Sequence, residues 1–158
     1  VMSAIRQIPR VVNEEPITPS LDNLEALESL KSVKAIKRDR LHGELQKCLR
    51  EIRELKQDIK TKKKHFTQSE QLRESQIQNV LLQATLALTS VEGICTTNYE
   101  ISQIKLTSVM EQQEIEQTEK QLEQRMNDQL SLSESLQFAE KDLEKAQYLI
   151  DTEVNHEQ

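Results

Sequence analysis

From residue 20 to residue 158 the chain has no proline and only two glycines, Gly43 and Gly93, so nothing in that stretch obliges the backbone to turn. All three prolines, Pro9, Pro16 and Pro19, lie before it. One helix over the whole span would extend about 200 Å at ~1.5 Å per residue. The expectation is therefore a rod, or a rod folded once. A compact domain would need more aromatic volume than two Phe, two Tyr and no Trp supply. The fold class is all-α, an elongated coiled coil built from long helices.

The apolar pattern is a heptad. With Leu45 at position a, the seam reads Leu41, Leu45, Cys48, Ile52, Leu55 and Ile59, and then continues to Lys62 and Phe66. A second register, with Ile77 at a, runs to Val154. Its d positions are Val80, Ala87, Ile94, Ile101, Ser108, Ile115, Leu122, Gln129, Leu136, Leu143 and Ile150, and its a positions include Val91. From 77 to 106 the apolar stripe widens, adding Leu81, Leu88 and Cys95 at e and Ile104 at g. A two-stranded coil buries mainly a and d, so the extra flanks imply a third or fourth helix or a docking surface.

Phe66 and Ile77 stand eleven residues apart, a four-residue insertion into the heptad. This places a stutter or hinge near residues 61–76. Gly93, in SVEGICTTNY, is the rival position for a break because of its poor helix propensity, but the second register passes through it unshifted. The expected organisation is an extended arm over 1–20, a basic coiled-coil segment over 21–65, a stutter or linker over 66–76, and a long helix over 77–158 with an acidic C-terminal part. The first helix is expected to start near Thr18 to Asp22, with Thr18 or Ser20 as cap and Asp22 with Glu25 as a capping box.

Charge divides along the chain. Residues 31–65 hold thirteen Lys or Arg against five Asp or Glu, a net of +8. Residues 100–158 hold five against fourteen, a net of −9, and residues 75–99 carry Glu92 alone. Antiparallel pairing, between two copies or between two halves of one chain, would lay the opposite charges side by side. A parallel homodimer would instead stack the a residues Lys105, Glu119 and Glu140 on their own copies, with Asn98 and Gln112 between them. That favours another coiled-coil protein as partner over a parallel homodimer.

No pattern of catalysis is visible. Two isolated glycines cannot make a phosphate-cradling loop, and His42, His65 and His156 lack metal-ligand spacing. The carboxylates of 111–123 read as a solvated helix face, and Cys48 and Cys95 as small hydrophobes. The expectation is no enzyme, no cofactor and no metal. The cysteine usage fits an intracellular, reducing compartment, and no apolar run approaches the ~20 residues of a membrane span.

The basic run Lys56, Lys60, Lys62, Lys63 and Lys64 is the one candidate binding feature outside the seam. Its alternatives are a solvated face held by i,i+4 pairs such as Asp58 with Lys62, or a site for an acidic surface such as tubulin. Nucleic acid is disfavoured, since no aromatic platform accompanies the lysines. In composition and periodicity residues 21–158 resemble the long coiled-coil subunits of microtubule-based assemblies in axonemes, centrosomes and kinetochores. That resemblance implies a structural subunit of a cytoskeletal assembly in the cytoplasm. A vesicle-tethering adaptor, or a regulatory bundle folded on itself, is the alternative.

Overall fold

The computed structural model describes residues 21–87 and 90–156. The arm over 1–20 and the Thr18 and Ser20 caps lie outside the described residues. Two long helices, α1 (Leu21–Leu86) and α2 (Val91–His156), pack against each other, with no strand among the described residues. Contacts divide the chain into two units, each drawn from both helices. In the first, residues 21–40 meet 136–156, and Lys34 pairs with Asp142 at 3.6 Å. In the second, 41–86 meet 91–135, and the partners run 51 with 125, 62 with 114 and 73 with 111. These contacts make the pairing in the second unit antiparallel, and it brings the basic and acidic stretches together.

The break falls at neither expected place. Residues 61–76 are helical throughout, so the hinge or linker expected there is corrected to unbroken helix. What remains is a phase shift. Covered side chains follow Phe66, Ser69, Arg73 and Ile77, a spacing of three, four and four that absorbs the eleven-residue step by slight unwinding. Nor is 77–158 one helix, because α1 ends at Leu86.

The second helix starts from a cap. Ser90 Oγ accepts from Gly93 N–H at 3.3 Å, and Ser90 O accepts from Ile94 N–H at 3.0 Å. With Glu92 in the first turn, that is an N-cap with a favourable dipole charge. Gly93 lies in the first turn of α2 rather than breaking a helix.

The register of α2 also needs correction. The d positions from Ile101 to Ile150 are buried or half-buried, as expected. Their seam partners, however, are the former g positions: Ile104, Glu111, Thr118, Leu132, Ala139 and Ala146 are covered, with Thr118 at 4%, Ala139 at 5% and Ala146 at 2% exposure. Asn98, Lys105, Gln112, Glu119 and Glu140 are all exposed. The reason is the chain break. A register carried over from Ile77, Ala84 and Val91 does not apply beyond it, and from 101 onward g is the more apolar column. Lys105, Glu119 and Glu140 therefore lie off the seam that the two helices form with each other.

Buried apolar positions such as Ile52, Ile59 and Ile115 each contribute about 2 kcal/mol. The core is thin: no described side chain is fully buried.

Candidate protein-interaction surfaces

The seam residues expected to bind a partner are mostly covered within the chain. Leu41, Ile52, Ile59, Ile115 and Ile150 are buried, and Leu45, Leu55, Ile77, Val80, Ile101, Leu122, Leu136 and Leu143 are half-buried. Three stand out into solvent, namely Leu81 at 48%, Ile94 at 51% and Val91 at 78% exposure. Leu88 lies outside the described residues.

Polar side chains bridge the helices of the second unit where the seam lacks apolar residues. Arg73 sits at the a position that follows Phe66 and is buried. Its guanidinium donates to Glu70 and Glu111 at 2.8 and 3.0 Å and lies 5.5 Å from the Phe66 ring centre. Hydrogen bonding to Glu111, reinforced by Glu70, raises the Arg73 pKa despite burial. A hydrogen bond from Ser108 and then the one from Arg73 hold the Glu70 carboxyl below its ordinary 4.5. Sequence reasoning passed over Arg73, although extending the first register by one heptad from Phe66 lands on it.

Lys62 Nζ donates to Thr118 Oγ1 at 3.0 Å and lies 3.3 Å from both Asp58 and Glu114. Partial desolvation opposes its charge, but the hydrogen bonds to Asp58 and Glu114 outweigh it and raise the pKa. Lys63 pairs with Glu119 at 3.0 Å, and Arg125 with Glu51 at 2.9 Å. The Cys48 thiol donates to the Arg125 carbonyl at 3.3 Å, and burial pushes its pKa up. Reactivity follows the thiolate, so alkylation of Cys48 at pH 8 is expected to be at least about 100-fold slower in the folded protein than in urea, measured by mass spectrometry of timed quenches. Equal rates would contradict its burial.

The five lysines of the basic run thus separate. Lys62 and Lys63 are engaged across the helix pair. Lys56, Lys60 and Lys64 are exposed, recur every four residues, and with exposed Arg53 form one stripe on the outer side of α1. None of these four makes an ion pair among the described residues.

The concave places are open grooves along the helix pair, such as one lined by Glu51, Leu55, Asp58, Gln121, Gln124 and Arg125. Among the described residues no group of three His, Cys, Asp or Glu could hold a metal ion, and no helix is long and apolar enough to cross a membrane. Compared with protein families, curated proteins and solved structures, the chain matches none.

Proposed function

We propose that the chain is a non-enzymatic scaffold or linker in a larger intracellular assembly, of the microtubule-associated kind, and that it acts by presenting its outer helix faces to other proteins. The observation that carries this reading is the unpaired stripe of Arg53, Lys56, Lys60 and Lys64 on α1. Pairing within the chain takes up the apolar seam and much of the opposite charge, so contacts with other chains fall to the surface left over. A stripe of four cations spaced along about three helical turns suits an extended acidic polypeptide, and the acidic tails of tubulin are the candidate of that chemistry.

The test is co-sedimentation with microtubules at about 50 mM and 200 mM salt, beside flotation with anionic liposomes. Binding that falls with salt, and at least about tenfold on changing Arg53, Lys56, Lys60 and Lys64 to Gln with helicity unchanged, supports the reading. Flotation without sedimentation would transfer the chain to the vesicle-tethering class, and no binding in either assay would make the stripe a solvated face.

A further inference from the structure

The outer side of α2 carries a second seam that the chain itself does not cover. Cys95, Tyr99, Ser102, Leu106, Val109 and Gln113 follow at steps of four, three, four, three and four, and all are exposed, Tyr99 at 65%, Leu106 at 49% and Val109 at 46%. This is the spacing that the covered face of the same helix uses. The charged residues between 93 and 110 are Glu100 and Lys105, and neither belongs to the series.

We infer that this face docks a second copy of the chain, antiparallel, through α2 against α2. The argument is one of size. The series alternates small and large side chains: Cys95, Tyr99, Ser102, Leu106, Val109. A copy placed antiparallel so that Tyr99 meets Val109 of the second copy also sets Leu106 against Ser102 and Cys95 against Gln113. Each central layer then joins a larger side chain to a smaller one, and the two-fold axis repeats every pairing. A parallel copy in register would instead oppose Tyr99 to Tyr99 and Ser102 to Ser102, crowding one layer and leaving a void in the next.

Charge permits this contact. The chain carries a net charge of −6; the six residues of the series carry none, and the like-charge contact that this register makes, Glu92 against Glu116, falls beyond both of its ends. With Val91 and Met110 flanking at 78% and 59% exposure, the face offers on the order of 700 Å², close to the ~800 Å² that each partner gives to a standard interface. This inference does not depend on the cationic stripe of α1.

The experiment is sedimentation velocity on the full chain from about 1 to 100 µM, with Leu106→Glu and Gln113→Cys beside the wild type. The expected results are a dimer for the wild type and a shift of at least about tenfold toward monomer for Leu106→Glu. The circular dichroism of Leu106→Glu should be unchanged, since Leu106 lies outside the covered seam. On mild oxidation Gln113→Cys should give a covalent dimer joining Cys95 of one copy to the thiol introduced at position 113 of the other, located by peptide mapping, while the wild type gives none. A monomer throughout the range, a dimer indifferent to Leu106→Glu, or a Cys95–Cys95 disulfide in the wild type would each overturn the inference.

Discussion

Glutamate in place of Ala146 is expected to lower stability by about 3 kcal/mol, because it forces a charge into a position the opposite helix covers. Ala146 is 2% exposed in the unit formed by residues 21–40 and 136–156. In the register read from the sequence it occupied g, a flank where glutamate would be tolerated, and Glu140 occupied the seam. In the structure the roles are exchanged, with Glu140 exposed, so Glu140→Ala is expected to change stability by no more than about 0.5 kcal/mol. Urea unfolding followed by circular dichroism measures both. A mild Ala146→Glu beside a strongly altered Glu140→Ala would reinstate the sequence register.

Removing the cation at Arg73 is expected to cost about 2 kcal/mol as Arg73→Ala. This lies below the usual cost of breaking a buried pair because Glu70 and Glu111 retain some solvent, at 45% and 29% side-chain exposure. Replacing Arg73 and Glu111 together by Leu should restore most of the loss, since the carboxylate then left without its cation, Glu70, is 45% exposed and keeps its water. The same contact sets a pH dependence. Glu70 has a lowered folded pKa, so its contribution is present above the ordinary value of 4.5 and disappears as pH falls through the folded value. Arg73→Ala should therefore lose less stability than the wild type between pH 5 and pH 3, although the Ser108 hydrogen bond keeps part of the effect. An identical acid loss in the two proteins would show that Arg73 does not stabilise the Glu70 carboxylate.

The helical class, the first register and the apolar d column of α2 were legible because they rest on periodicity, which tertiary packing here reinforces. The turn was not. Residues 87–90 contain neither proline nor glycine; the signs were the capping-box spacing of Thr89 and Glu92 and the poor helix formers around Gly93, which pointed to a break a few residues further on. Missing the break carried the register of Ile77 into α2: Ala87, directly after α1, and Ile94, in α2, kept the phase by coincidence although both are exposed. The polar crossings were hidden for a different reason. Arg73, Lys62 and Arg125 resemble surface residues until the partner helix supplies Glu111, Glu114 and Glu51. The lysine run was legible as charge, but its division into engaged and free members depended on which side of α1 faced inward.

The thin core has a thermal consequence. Unfolding a pair of helices in which no described side chain is fully buried releases little apolar surface per residue, so the heat-capacity increment falls below the ~12–15 cal/mol/K per residue of globular domains. The curve of stability against temperature is correspondingly broad and shallow, with both enthalpy and entropy of unfolding changing slowly on heating. Such a protein holds nearly the same modest margin from cold to warm and has no sharp optimum to lose.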